Sequence, residues 1–91
     1  MYSAAVIRIN GVVQGVGFRF FVCRIAEALS LTGTVRNVSD GSVEVRVEGM
    51  HSGILSLIKD LEIGNRFSKV ESLHVDWIPY SASYNKFAII R

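Results

Sequence analysis

Residues 7–29, IRINGVVQGVGFRFFVCRIAEAL, contain the pattern that decides the fold. Ile7 and Ile9 alternate with polar residues, which predicts a half-buried strand ending near Gly11. A glycine-containing segment follows, and apolar residues then recur at helical spacing at positions 18, 21, 22, 25, 26 and 29. The stretch therefore predicts a strand, a loop and an amphipathic helix, with Gly33 as a stop signal beyond the helix.

Further elements follow in the same chain order. A strand beginning at Val35 leads into the turn signal Asp40-Gly41, and Val43, Val45 and Val47 then alternate with charged residues, which predicts a hairpin. The later elements are a helix capped by Ser52 and ending near Gly64, a strand around Leu73, Val75 and Trp77, and a short terminal strand at Phe87 and Ile89.

This order predicts an α+β fold of the ferredoxin-like, split β-α-β type. Two helices, each apolar on one side, would cover one face of a four- to five-stranded antiparallel sheet. In that plan the first two strands run parallel and the third is inserted between them. The loop after the first strand and the end of the second would then lie at one edge, roughly 10 Å apart.

Composition narrows the class of protein. A chain of 91 residues, 49% hydrophobic and 20% charged, is predicted to form one domain over residues 1–91. Its one cysteine, Cys23, excludes an internal disulfide and a cysteine zinc cluster, which favours a reducing cytoplasm. The N-terminal apolar run is too short for a signal peptide or a membrane span. Ten basic residues interleaved with eight acidic ones do not predict nucleic-acid binding.

The segment Gln14-Gly15-Val16-Gly17-Phe18-Arg19 carries the chemistry. Glycines at the start of a helix let successive N–H groups point inward, and no Ser, Thr, Asp or Asn at positions 15–18 caps them. Such an end suits a bound anion, and Arg19 adds a fork for two phosphate oxygens. The alternative is a simple tight turn with Arg19 solvated at the surface. The segment lacks the residues of a dinucleotide or nucleotide-triphosphate loop.

Two motifs together resemble the signatures of the acylphosphatases. The first is Val13 to Arg19, and the second is Gly33-Thr34-Val35-Arg36-Asn37 followed by residues 40–44, DGSVE. The resemblance extends over essentially the whole chain. Two departures are Thr34, where an aromatic residue is common, and Gly64-Asn65-Arg66, which replaces a frequent Gly-Pro and is expected to affect local rigidity only.

The resemblance implies hydrolysis of a carboxyl-phosphate anhydride in a single displacement, without a phosphoenzyme, metal or cofactor. Arg19 and the amides of Gln14, Gly15, Val16, Gly17, Phe18 and Arg19 would hold the phosphate. Asn37 would hold the attacking water in line, and the substrate's own phosphate could accept the proton. The expected ligands are a small acyl phosphate and, as weak competitors, phosphate or sulfate. We expect a monomer that binds neither nucleic acid nor membrane.

Three alternative functions fit parts of the same pattern. An RNA-binding module would carry aromatic residues on its third strand, where this chain has Val43 to Val47 and none. A non-catalytic anion sensor would not need Asn37. A carbamoyl-phosphate-handling domain of a larger enzyme is the third alternative, against which the chain offers no sign of attached domains. Cys23, His51 and His74 have no ligand spacing and are interpreted as packing or surface residues.

Overall fold

The computed structural model describes residues 1–91 as an α+β fold in which two helices cover one face of a five-stranded sheet. The elements are β1 (Tyr2–Val12), α1 (Phe18–Ala28), β2 (Thr32–Asn37), β3 (Val43–Met50), α2 (His51–Ile63), β4 (Lys69–Ile78) and β5 (Phe87–Ile89). The strand order is β4-β1-β3-β2-β5, so β3 lies between β1 and β2. The predicted ferredoxin-like plan is confirmed.

The sheet is mixed, which corrects the expectation of a purely antiparallel one. β1 pairs antiparallel with β3 and β4, and β2 antiparallel with β3, but β5 runs parallel to β2. The direction follows from the chain path. β4 and β5 lie at opposite edges of the sheet. The connection over residues 79–86 crosses from one edge to the other at the end of the sheet where β4 stops, and β5 begins at that same end. β5 must therefore run opposite to β4, in the direction of β1 and β2.

The core lies between the sheet and the helices. Alternate strand residues point into it, and the helices contribute one apolar stripe each, as the periodicities predict. Its fully buried members include Ile7, Ile9, Val35, Val43, Val45, Val47, Phe18, Val22, Ala26, Ile54, Leu57 and Leu61.

Two predicted helix boundaries are wrong. α1 ends at Ala28, and Gly33 lies inside β2, where an added Cβ would meet the Arg46 carbonyl oxygen at 1.8 Å. This glycine permits close strand approach and does not stop the helix. Ser52 does not cap α2: the capping position is Met50, which makes no side-chain cap bond. Instead the His51 N–H donates to the Met1 carbonyl oxygen at 2.9 Å, so a distant backbone group satisfies the helix end.

The connection between β4 and β5 is tied to the sheet face opposite the helices by Glu48. The Glu48 carboxylate accepts hydrogen bonds from the Ser81 N–H at 3.0 Å and the Ser83 N–H at 2.8 Å. Burial raises the pKa of Glu48, but these donors outweigh it and leave the pKa below its ordinary value. The carboxylate therefore stays ionised and holds the crossing segment in place. Neither helix has the length and apolar character needed to cross a membrane.

Candidate active site

The carboxyl ends of three strands meet at one end of the sheet. The loop over residues 13–17 follows β1, Asn37 ends β2 and Ile89 ends β5, and these three strands run in the same direction. A cavity of about 310 Å³ opens there. It is lined by Val13, Gly15, Gly17, Phe18, Arg19, Phe20, Asn37, Ile89 and Arg91. The two sequence motifs therefore share one cavity, as their placement in the predicted fold required.

The glycines of the loop are needed for their backbone conformation. Gly15 has a φ of 74° and Gly17 a φ of 73°, in the left-handed region that residues with a side chain rarely adopt. A Cβ on Gly15 would meet nothing within 4 Å, so space alone does not require glycine there. These two left-handed residues direct the N-terminus of α1 toward the cavity.

The N-terminus of α1 has no side-chain cap. Gly17 occupies the capping position without a side-chain hydrogen bond, and the first turn contains no acidic residue. The first intrahelical bond runs from the Phe21 N–H to the Gly17 carbonyl oxygen at 3.0 Å, which leaves the preceding N–H groups without a helical partner. This end of the helix can receive an anion, because its free donors and its dipole both favour negative charge.

Arg19 is half-buried at the cavity and forms no ion pair. No aspartate or glutamate lines the cavity, and Arg91 contributes a second basic residue to its wall. The electrostatic character of the site is therefore cationic without an internal counter-charge. A planar guanidinium in this position is suited to two oxygens of a phosphate group.

Asn37 presents an unused side-chain amide to the same region. It is half-buried at the end of β2, and its Oδ1 atom is buried without a hydrogen-bond partner in the protein. Buried polar atoms are rarely left in this state, so an unpaired one at a cavity calls for a ligand or water. Asn37 is the polar neutral group of the site.

Gln14 and Val16 do not line the cavity, unlike the other residues predicted for the cradle. The Gln14 Nε2 group donates to the carbonyl oxygens of Val38 at 2.7 Å and Ser42 at 2.9 Å. It thereby ties the loop after β1 to the β2–β3 turn just beyond Asn37. The Gln14 side chain is a brace between the two motifs.

The turn that Gln14 contacts is itself fixed by Asp40. Its Oδ1 atom accepts hydrogen bonds from the Ser42 hydroxyl at 2.6 Å and the Ser42 N–H at 2.9 Å. These bonds, the hydroxyl first, lower the pKa of Asp40. The carboxylate form therefore maintains the turn, and with it the end of β2 that carries Asn37.

Asn65 reaches the loop from the connection between α2 and β4. Its Nδ2 group donates to the Val16 carbonyl oxygen at 2.9 Å, and its own backbone is fixed by Ser68 Oγ, which accepts from the Asn65 N–H at 2.9 Å. The sequence motif gave no sign of this contact, because residues 16 and 65 are brought together only by the packing of both helices. The departure at Asn65 therefore affects more than local rigidity.

Known proteins match nearly the whole of this chain. The acylphosphatase family model matches residues 5–89. The chain belongs to the acylphosphatase family. The hydrolase class expected from the two motifs is confirmed. The relatives include an acylphosphatase of Clostridium beijerinckii, 41% identical over 97% of this chain and 94% of its own length.

Solved structures match this chain over its full length. The crystal structure of the acylphosphatase from Bacillus subtilis matches with a TM-score of 0.92 and 35% identity, covering 100% of both chains. A crystal structure of full-length HypF in a phosphate- and nucleotide-bound form matches with a TM-score of 0.88 and 30% identity, but the match covers 12% of that chain. The same unit thus also occurs inside a much longer protein.

The cysteine and the two histidines of this chain do not line the cavity. Burial, followed by the negative charge of Glu27, raises the pKa of the Cys23 thiol, whose sulfur lies 3.8 Å from the Phe87 carbonyl oxygen. His51 stacks on Trp77 with ring centroids 4.6 Å apart, and His74 lies 3.3 Å from Asp76. No group of three or more His, Cys, Asp or Glu residues is arranged to hold a metal ion.

Four residues of the cavity wall were not among the predicted site residues: Val13, Phe20, Ile89 and Arg91. Ile89 and Arg91 line the cavity because β5 runs parallel to β2 and ends with Ile89 opposite Val35, close to the end of β2 that carries Asn37. The terminal strand was predicted as part of an antiparallel sheet, and its partner was not predicted; it runs parallel to β2. The available signal was the position of β5 after a long connection, which is compatible with either edge of the sheet.

Proposed function

We propose that this chain hydrolyses acyl phosphates to carboxylate and inorganic phosphate by direct attack of water on phosphorus. The observation that carries the proposal is the convergence of an uncapped helix N-terminus, Arg19 and Asn37 on one cavity of about 310 Å³. The proposal requires neither a metal nor a cofactor. It extends to a monomer acting in the cytoplasm on small substrates.

The phosphate group binds where positive charge has no protein partner. Arg19 donates to two of its oxygens, and the N–H groups at the start of α1 donate to the others. Because phosphoryl transfer depends mainly on positioning and charge stabilisation, these contacts supply the main catalytic contribution. Phosphate and sulfate occupy the same cradle as weak competitive ligands.

The attacking water is held by the side-chain amide of Asn37. Asn37 lines the cavity, and its Oδ1 atom has no hydrogen-bond partner within the protein. The water attacks the phosphorus atom, the bond from phosphorus to the acyl oxygen breaks, and the carboxylate leaves with the bonding electrons. The water's proton passes to a phosphate oxygen, since no His, Asp or Glu lines the cavity.

The absence of a covalent intermediate is supported by the composition of the cavity wall. Its side chains are aliphatic, aromatic, guanidinium or amide groups, none of which is a usual nucleophile at phosphorus. An acyl phosphate already carries a good leaving group, so neither a strong general acid nor nucleophilic activation by the protein is needed. Positioning of water by Asn37 is sufficient.

The test is turnover of benzoyl phosphate in the presence of EDTA by the native chain, Arg19→Ala and Asn37→Ala. We expect metal-independent turnover in the native chain and a loss of at least about 100-fold, or roughly 2.7 kcal/mol, in each variant. Arg66→Ala and Asn85→Ala, at exposed positions away from the cavity, are matched controls and should retain full activity.

Isotopically labelled water distinguishes the site of attack. Label found in phosphate supports attack at phosphorus, whereas label found in the carboxylate contradicts it. An inactive native chain that still binds phosphate would make the cavity a sensor site and would overturn the proposal.

A further inference from the structure

A second concave region adjoins the phosphate cavity. It is an open groove of about 440 Å³, lined by Gly17, Phe20, Phe21, Arg24, Ile25, Ala28 and Asn65. Gly17 and Phe20 also line the phosphate cavity, so the two regions are continuous. A ligand anchored by its phosphate group can therefore extend into the groove without leaving the protein surface.

The groove follows one face of α1 from end to end. Its helical residues recur three and four positions apart from Phe20 to Ala28, which places them on a single stripe. From Gly17 to Ala28 this stripe is about 16 Å long. Its shape therefore suits an extended chain better than a compact group.

The lining of the groove is mainly apolar. Phe20, Phe21, Ile25 and Ala28 supply hydrophobic surface, and Phe20 is 64% exposed although it is a large aromatic residue. Arg24, the one charged residue in the lining, forms no ion pair, and its aliphatic stem can lie along the groove with the guanidinium in solvent. Exposed apolar surface beside an anion site favours a ligand with an apolar tail.

The direction of the groove agrees with the stereochemistry of the reaction. In-line attack places the leaving group on the side of phosphorus opposite the water. Asn37 lines the phosphate cavity but not the groove, which departs from Gly17 and Phe20 along α1. The acyl group of the substrate would therefore leave the phosphorus toward the groove.

We propose that this groove binds the acyl chain of the substrate. The protein would therefore be selective for acyl phosphates with extended apolar acyl groups. The proposal rests on the proposed function for the position of the phosphate group. Phe20 forms the junction, Phe21 and Ile25 the floor, and Ala28 the far end. Asn65, which donates to the Val16 carbonyl oxygen, closes the side of the groove at the phosphate loop.

The first test compares acetyl, butyryl and octanoyl phosphate as substrates, below the concentration at which octanoyl phosphate forms micelles. Burial of each methylene group is expected to raise kcat/KM about two- to fourfold. Ala28→Trp fills the far end of the groove at an exposed position and should lower kcat/KM for octanoyl phosphate about tenfold, with acetyl phosphate unchanged. Glu27→Trp, at the neighbouring exposed residue outside the groove, is the matched control and should change neither.

Binding of alkylphosphonates gives a readout that does not require turnover. Octylphosphonate should bind more tightly than methylphosphonate in calorimetry, and Ala28→Trp should remove most of that difference. If the native chain turns over acetyl phosphate but shows no dependence on chain length in either experiment, the groove does not bind the acyl chain. If octylphosphonate is preferred but no acyl phosphate is hydrolysed, the groove binds an alkyl chain, but the proposed function fails and the groove's role in substrate selection fails with it.

A charged acyl group is the competing occupant. Succinyl phosphate preferred over butyryl phosphate, with the preference lost in Arg24→Ala, would assign the groove to a second anionic group and overturn the proposal.

Discussion

The arginines of this chain lie in two contrasting environments. On the open face of the sheet, Glu44 accepts hydrogen bonds from Arg36 at 3.0 Å and Arg46 at 3.4 Å, and lies 3.5 Å from Arg8. The Glu44 side chain is only 8% exposed in the middle of this cluster. At the other site, Arg19 borders the phosphate cavity with no carboxylate beside it.

The difference shows how one residue type serves stability in one place and binding in another. Arg8 and Arg36 lie directly opposite Glu44 on the two neighbouring strands, so the sheet register supplies each with a counter-charge. The hydrogen bond from Arg36 lowers the pKa of Glu44 most, and the charges of Arg36 and Arg46 add to it, against the effect of burial. Arg19 has no such partner, and under the proposed function the phosphate group of the substrate provides the negative charge.

The largest expected effect is a contrast between two variants: Arg19→Ala should lose activity, and Arg36→Ala should lose stability. Arg19→Ala should reduce kcat/KM at least about 100-fold, with the free energy of unfolding changed by less than about 0.5 kcal/mol. Arg36→Ala should retain activity and lose about 1 kcal/mol or less, since its side chain is 40% exposed and solvent screens the pair. Steady-state kinetics and urea unfolding of both variants measure this. Equal effects of the two variants on either quantity would contradict the contrast.

Phosphate should sharpen the same contrast through stability. At ten times its Kd, phosphate should stabilise the native chain by about 1.4 kcal/mol, which corresponds to a rise in Tm of roughly 5–10 °C. Arg36→Ala should respond as the native chain does, and Arg19→Ala should not respond. Thermal denaturation with increasing phosphate, at constant ionic strength, tests this. A full response in Arg19→Ala would mean that phosphate binds elsewhere.

Glu44→Gln should remove the counter-charge from the open face and destabilise the fold by about 1 kcal/mol near neutral pH. The folded pKa of Glu44 is lower than its ordinary value of 4.5. Its contribution is therefore complete above about pH 4.5 and is lost as the pH falls through the folded pKa. Unfolding free energies of the native chain and the variant should converge in acid. A constant difference between pH 7 and pH 3 would show that the charge of Glu44 is not the cause.

Gln14→Ala should affect catalysis much less than Arg19→Ala does. Removal of the two hydrogen bonds to the β2–β3 turn should lower kcat about threefold to tenfold and stability by about 1 kcal/mol, because Asn37 is less firmly positioned. The phosphate-induced rise in Tm should be retained. If Gln14→Ala abolishes that rise as Arg19→Ala does, Gln14 contacts phosphate directly and is not a brace.

Local patterns predicted the type and order of the elements, and the two motifs predicted that Arg19 and Asn37 lie at one cavity. The alternation of Ile7 and Ile9 with polar residues predicts a strand, and the helical spacing of the apolar residues from Phe18 to Ala26 predicts a helix. Each pattern depends only on neighbours in the chain. Arg19 and Asn37 could be placed together because the strand order alone puts their segments at the same end of the sheet.

Features that depend on distant backbone groups could not be predicted in this way. Ser52 fits the pattern of a helix cap, but the Met1 carbonyl oxygen takes that role from another part of the chain. Gly33 fits the pattern of a helix stop, but its partner strand requires it. Arg91 reaches the cavity only because β5 pairs in parallel with β2, and the Glu44 cluster exists only once the strand register is known.

The position of β3 has a consequence for the order of events during synthesis. β3 lies between β1 and β2 and supplies no residue to the wall of the phosphate cavity, yet it is the strand that joins the loop after β1 to Asn37. When both motifs have emerged from the ribosome, the nascent chain still has no site until β3 has also emerged and has paired with β1 and β2. The β2–β3 pairing is a local hairpin, but the β1–β3 pairing joins residues far apart in sequence and therefore forms late and slowly. The appearance of activity during refolding should therefore follow the assembly of the central sheet and not the formation of α1.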